Sequence, residues 1–123
     1  MPIKANAAEK ALKLAKAAYE ANKPQEAIAY YAQAISIDPN RAKTYNDRGA
    51  AYDNLGDYDR AIADYNLALE INPNDDGLAY RNRGAAYYKL GDYDNAVKDA
   101  HKALEFGDYE LFQFLTQEKI LRD

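Results

Sequence analysis

The sequence predicts an all-α solenoid of three helix-turn-helix repeats, six helices in all, with a seventh helix capping the end. The first observation behind this is self-similarity at a period of about thirty-four residues. Ala79–Ala96 reads Ala-Tyr-Arg-Asn-Arg-Gly-Ala-Ala-Tyr-Tyr-Lys-Leu-Gly-Asp-Tyr-Asp-Asn-Ala and restates Thr44–Ala61 almost residue for residue. A unit of this length cannot bury its apolar face alone and must stack on a neighbour. The second observation is helical spacing, as in Tyr45, Arg48, Gly49 and Tyr52, which share one face. The third is punctuation by glycine and proline at matching places.

Alanines set the register: Ala27, Ala61 and Ala96, then Ala34, Ala68 and Ala103 seven residues on. Between them stand Tyr31, Tyr65 and Ala100, and after them Pro39, Pro73 and Asp108. The third copy is offset by one residue because Asp75-Asp76 lengthens a junction, read as an exposed turn. Residues 1–7 read as an N-terminal extension, 8–41 as repeat one, 42–75 as repeat two, 77–110 as repeat three and 111–123 as the capping helix, all within one domain.

Each repeat reads as a helical hairpin. In repeat two, Gly56 ends the first helix, since glycine adopts the left-handed conformation a helix end needs. Asp57-Tyr58-Asp59 opens the second helix with carboxylates at its positive end. Ile62, Tyr65, Ala68 and Leu69 form its apolar face, and Asn72-Pro73-Asn74 stops it. Repeat three copies this plan. In repeat one Asn22-Lys23-Pro24 makes the turn and the proline starts the second helix. Ala15, Gly49 and Gly84 are expected to face Ala27, Ala61 and Ala96, where larger side chains would hold the helices apart. A final helical pattern runs from Tyr109 to Leu121; Leu111, Phe112 and Leu115 suit a cap, whereas Phe114 and Leu121 fall on another side.

Composition narrows the function. The chain has 123 residues, 48% apolar and 29% charged, with a formal charge of -4. Such an acidic balance argues against a nucleic-acid partner, which calls for a basic face. There is no cysteine, which excludes disulfides and thiol chemistry. No apolar run is long enough to span a membrane, so no membrane partner is expected. The expected compartment is the cytoplasm; Ala5-Asn6-Ala7 matches a small-x-small cleavage pattern, so a trimmed N-terminus would point to an exported, periplasmic protein.

On these residues the chain resembles the tetratricopeptide repeat family. The family's places hold Tyr45, Arg48-Gly49, Tyr52, Ala61, Tyr65, Ala68 and Pro73 in repeat two. In repeat three they hold Tyr80, Arg83-Gly84, Tyr87, Ala96, Ala100, Ala103 and Asp108. Repeat one, with Ala11, Leu14-Ala15, Ala18, Ala27, Tyr31, Ala34 and Pro39, lacks the aromatics of its first helix. The resemblance implies a right-handed superhelix whose first helices line a concave groove that binds peptides or helices of other proteins.

Catalysis finds no constellation. His101 and Ser36, the only histidine and serine, fall in second helices of different repeats with no matching acid. No metal site and no cofactor are expected, and the Asp57/Asp59 and Asp92/Asp94 pairs read as helix caps rather than calcium ligands. Of the 12 tyrosines, Tyr31, Tyr45, Tyr52, Tyr58, Tyr65, Tyr80, Tyr87 and Tyr93 take packing positions. Tyr19 and Tyr88 fall one residue past such a position, toward the groove.

The expected partner-binding residues are Lys13, Lys16, Tyr19, Lys43, Asn46, Asp47, Asn54, Arg81, Asn82, Tyr88 and Lys89. The groove reads as near neutral, with Glu9, Glu20, Asp47 and Asp53 against its five cations. One branch of the family clamps the carboxylate terminus of heat-shock chaperones; the corresponding places hold Leu12, Lys16, Asp47, Leu78 and Asn82, none of which matches, so such tails are disfavoured. The expected function is a non-catalytic interaction module holding a partner's peptide or helix. The alternative is a self-assembling scaffold, suggested by the weak first helix and by Phe114, Ile120 and Leu121.

Overall fold

A computed structural model of the chain describes residues 2–74 and 77–120. Among them are seven helices and no strand: α1 (Pro2–Glu20), α2 (Pro24–Ile37), α3 (Ala42–Asn54), α4 (Tyr58–Ile71), α5 (Leu78–Lys89), α6 (Tyr93–Glu105) and α7 (Glu110–Gln117). They pair as the hairpins α1/α2, α3/α4 and α5/α6, and each hairpin stacks on the next through α2 on α3 and α4 on α5. The result is the expected all-α solenoid, closed by α7 on α6 and α5. Helix α1 continues back to Pro2, through the stretch read as an extension. The expected Asp75-Asp76 turn and the cap residue Leu121 lie outside the described residues.

Local chemistry sets the boundaries. Gly56 (φ 79°) and Gly91 (φ 84°) are left-handed, and the following aspartate N–H donates back to Tyr52 O and Tyr87 O, each at 2.9 Å. This closes α3 and α5 and satisfies carbonyls that a helix end leaves unpaired. Repeat one makes the same closure with Asn22 (φ 61°), Lys23 N–H donating to Ala18 O at 2.9 Å. Asp57 and Asp92 then cap α4 and α6, accepting from the N–H groups of Arg60 and Asn95 at 3.3 Å. Pro24 starts α2, and α4 ends at Ile71 before Asn72-Pro73.

The hairpins close on alanine. Ala27, Ala61 and Ala96 have no exposed surface. Of the small residues opposite them, Gly49 has a different reason from the one expected, whereas Gly84 does lie against the paired helix. A Cβ on Gly49 would stand 2.6 Å from Cε1 of Tyr65, so this glycine makes room for that ring rather than for Ala61. On Gly84 the added carbon would run into Leu111 and Asp99, with the carbonyl of Ala96 at 3.3 Å. Tyr31, Tyr45 and Tyr65 are buried as expected, and Tyr52, Tyr58, Tyr80 and Tyr87 are half-buried. Tyr93 departs from the expectation: it is 47% exposed and stacks on Tyr88, with ring centroids 5.5 Å apart. Its equivalent, Tyr58, is covered by the Lys89 ammonium at 5.5 Å, and no cation stacking on Tyr93 is seen among the described residues.

Repeats two and three also carry a buried ion pair that the apolar pattern did not reveal. Arg48 donates to both oxygens of Asp64 at 2.8 Å. Arg83 does the same to Asp99 at 2.9 and 2.7 Å, and reaches across the junction to Asn66 at 2.9 Å. Burial raises the Asp99 carboxyl above its ordinary value, against the lowering effect of Arg83. In repeat one the equivalent places hold Leu14 and Tyr30.

Two predictions follow from this packing. Gly49→Ala improves helix propensity by ~1 kcal/mol, yet the fixed Tyr65 ring makes it destabilising by ~1–3 kcal/mol in urea unfolding. Arg83→Met leaves Asp99 buried without its partner and costs about 3–5 kcal/mol, whereas Arg83→Met with Asp99→Leu recovers most of that loss. Removing Arg83 takes away the influence that lowers the folded Asp99, so in the variant this carboxyl takes up its proton at a still higher pH than in the parent protein. The deficit of Arg83→Met is therefore greatest at neutral pH and shrinks as pH falls through the carboxylate range; a deficit independent of pH would refute this.

Candidate functional site

The first helices α1, α3 and α5 form one face, and on it lie three hollows. The largest, about 550 Å³, lies between α1 and α3. Leu12, Thr44 and Tyr31 contribute to its lining, and around it stand Lys13, Lys16 and Lys43 together with Asp47 and with Glu9, which is paired to Arg41. A neighbouring hollow of about 280 Å³ shares Lys16, Tyr31, Lys43 and Asp47 and adds Tyr19, Glu20 and Ala50. The third, about 360 Å³, lies between α5 and α7 and is lined by Arg81, Asn82, Ala85, Tyr88, Lys89, Leu111 and Phe114, with Glu110.

The cations of this face fall into two groups. Lys13 and Lys16 are exposed and have no ion partner among the described residues. Lys43 meets Asp47 at 3.1 Å, four residues on, with its own side chain 85% exposed. Such an exposed pair is weak and readily exchanged. At the other end the cations are engaged. Arg81 bridges Asp108 at 3.2 Å and Glu110 at 2.9 Å, tying α5 to the start of α7. Lys89 donates to Asp53 at 2.8 Å and lies over Tyr58, tying α5 to repeat two.

The other expected residues divide similarly. Tyr19 and Asp47 border the α1/α3 hollows, and Asn82 and Tyr88 the α5/α7 hollow. Tyr88 is held there by Phe114, edge-on at 5.0 Å, and donates from its hydroxyl to Glu118 at 3.3 Å. Asn54 is exposed but borders none of the three hollows. Asn46, expected on the open wall, is only 5% exposed, and its amide oxygen has no hydrogen-bond donor among the described residues. Two contributors escaped the sequence reading. Tyr31 was assigned to packing alone, yet it borders both α1/α3 hollows. Burial, reinforced by Asp47, pushes its phenol up to about 12, so it remains a proton donor at neutral pH. Helix α7 was read as a cap, yet Glu110, Leu111 and Phe114 also build the far hollow. The three- and four-residue spacing of these side chains was the available signal.

Among the described residues no cluster of three His, Asp or Glu side chains could hold a metal, and no helix is long and apolar enough to cross a membrane. His101 is exposed and packs edge-on against Phe112 at 5.6 Å.

A tetratricopeptide repeat model matches residues 8–41, and another matches residues 42–75 and 77–106. Among curated proteins, the chain is 42% identical over 60 residues to the Protein SGT1 homolog of Oryza sativa subsp. japonica. It is 42% identical over 55 residues to the small glutamine-rich tetratricopeptide repeat-containing protein 2 of Saccharomyces cerevisiae. These stretches cover 49% and 44% of this chain but 16% of each relative. Among solved structures, the first such domain of Spaghetti (RPAP3), bound to the HSP90 peptide SRMEEVD, aligns with a TM-score of 0.86 and 29% identity. That alignment covers 94% of this chain and 90% of the other. With three consecutive repeats matched and the hairpin geometry shared, the chain belongs to the tetratricopeptide repeat family.

Proposed function

We propose that this chain is a non-catalytic protein-interaction module that holds an acidic segment of a partner protein over the α1/α3 end of its concave face. The observation that carries the reading is the placement of Lys13, Lys16 and Lys43 around the largest hollow, the first two without ion partners among the described residues. A carboxylate-bearing peptide laid there gains charge-assisted hydrogen bonds from ammonium groups already in place. Tyr31 lines the same hollow. The RPAP3 domain, similar in fold over nearly its whole length, holds a peptide containing two adjacent glutamates.

The chain departs from a carboxylate-terminus clamp. Asp47, beside Lys43, sets a negative charge where a terminal carboxylate would sit. The reading is therefore of side-chain carboxylates within the partner's chain, with the terminus uninvolved. Arg81 and Lys89 serve chiefly as struts between elements, and the apolar walls near Tyr88 and Phe114 extend the surface.

Fluorescence anisotropy with labelled acidic peptides tests the reading. Lys13→Glu with Lys16→Glu is expected to weaken binding at least tenfold, about 1.4 kcal/mol, with the far-ultraviolet circular dichroism spectrum unchanged. Amidating the peptide's C-terminus is expected to leave the affinity unchanged; a large loss on amidation would restore the clamp reading. Arg81→Glu, which sets a third carboxylate against Asp108 and Glu110, is expected to lower the melting temperature before it alters peptide selectivity. Equal affinity in the lysine double variant would overturn the proposal.

A further inference from the structure

Of the apolar residues near the C-terminus that suggested self-association, Phe114 and Ile120 each have packing partners, although Phe114 stays 39% exposed. Phe114 packs on Tyr88, and Ile120 joins the cluster around Leu111 and Leu115. Two other faces are open. On α1, Ala7, Lys10, Leu14 and Ala17 recur at three- and four-residue spacing and are all exposed, Leu14 by 41%. On α4, Ala63, Leu67 and Ile71 recur every four residues on the outer wall, with Leu67 at 39% and Ile71 at 38% exposure. The places of Leu67 in α2 and α6 hold Gln33 and Lys102, so the repeat plan does not require this apolar stripe.

The internal repeats show what kind of element packs at the place equivalent to the α1 face. On α5 the equivalent of Leu14 is Arg83, which reaches Asn66 of the overlying helix α4. Helix α2 lies on α3 in the same relation. In repeat one the arginine and aspartate of that place become Leu14 and Tyr30. The face is thus suited to a helix laid along it, with apolar contacts in place of an ion pair.

Charge selects which helix. Residues 1–41 carry six Lys and Arg against four Asp and Glu, whereas residues 42–76 carry three against eight. Lys10 lies within the α1 stripe, and Asp59 and Glu70 flank the α4 stripe, none of the three with an ion partner among the described residues, whereas Arg60 at the start of the α4 stripe is paired with Asp57 at 2.9 Å. We propose that a second copy of this chain docks here, the α1 face of one copy lying on the outer face of α4 of the next. The two surfaces differ, so the contact is heterologous and does not close on itself. The α4 stripe is only about 12 Å long at 1.5 Å per residue. Such a contact falls in the small, transient class of interfaces, so assembly is reversible and rises with concentration. Opposite charges fix the orientation and make the contact sensitive to salt. The concave face remains open, and the inference does not depend on what binds there.

Static light scattering from micromolar to millimolar protein tests this. Apparent mass is expected to climb with concentration at low salt and to fall back when salt is added. Leu14→Lys and Leu67→Lys, each at an exposed site, are each expected to remain monomeric. Mixed in equal amounts they are expected to reach the dimer mass and stop there, since each supplies the face the other lacks. In a second arm, Lys10→Glu chains and Asp59→Lys/Glu70→Lys chains are each expected to stay monomeric alone and to associate when mixed. A wild-type mass that stays monomeric, association that survives either leucine substitution, or mixtures that remain monomeric would overturn the proposal.

Discussion

The close approach of two helices at an alanine is the contact on which the molecule is built. Ala27, Ala61 and Ala96 occur once per hairpin and have no exposed surface. With a methyl group at that point, the paired helix can come near enough for large rings to fill the space beside it. Tyr31 and Tyr65 occupy such spaces, and in repeat three the role passes to Leu111 and Leu115 of α7 because Ala100 stands where a tyrosine would. The same separation, repeated, sets the pitch at which hairpins stack and keeps α1, α3 and α5 on one side. The hollow between α1 and α3 is thus a consequence of small side chains buried elsewhere.

On that shared face, similar cations have come to serve different ends. Arg81 and Lys89 sit between elements and are neutralised by carboxylates from neighbouring segments. Lys13 and Lys16 lie on α1 with no carboxylate at ion-pair distance among the described residues: Glu9, four residues before Lys13, is taken up by Arg41, and Glu20 stands four residues after Lys16. A groove that is near neutral by counting is therefore uneven in space. Its first part offers free ammonium groups and its last part offers aromatic and aliphatic walls.

Much of the fold was legible because its signals are local. Gly56, Gly91, Pro24, Asp57 and Asp92 act within a turn or two of where they stand, and each did what its chemistry dictates. What stayed hidden needed knowledge of neighbours far along the chain. Lys89 finds Asp53 and Arg81 finds Glu110 only after the hairpins have stacked. The Arg48–Asp64 and Arg83–Asp99 pairs interrupt the expected apolar pattern with charge, so periodicity alone passes over them. Tyr93 takes a packing position by register, but packing also needs a covering side chain like the one Lys89 gives Tyr58. Asn46 was placed on the open wall by the same register, yet its surroundings on α3 leave it buried.

The joints between repeats hold one more lesson. A proline that stops a helix leaves carbonyls at that end without intrahelical donors. The Pro39 carbonyl accepts from the Tyr45 hydroxyl at 2.9 Å, and the Pro73 carbonyl from Tyr80 at 3.4 Å. The first and second hairpins thus each offer a carbonyl to the hairpin that follows. Undocking one unit exchanges that bond for one to water and gives up the modest net stabilisation it brings across the joint. Such bonds across the joints act as nearest-neighbour terms, so each unit's stability depends in part on the unit beside it.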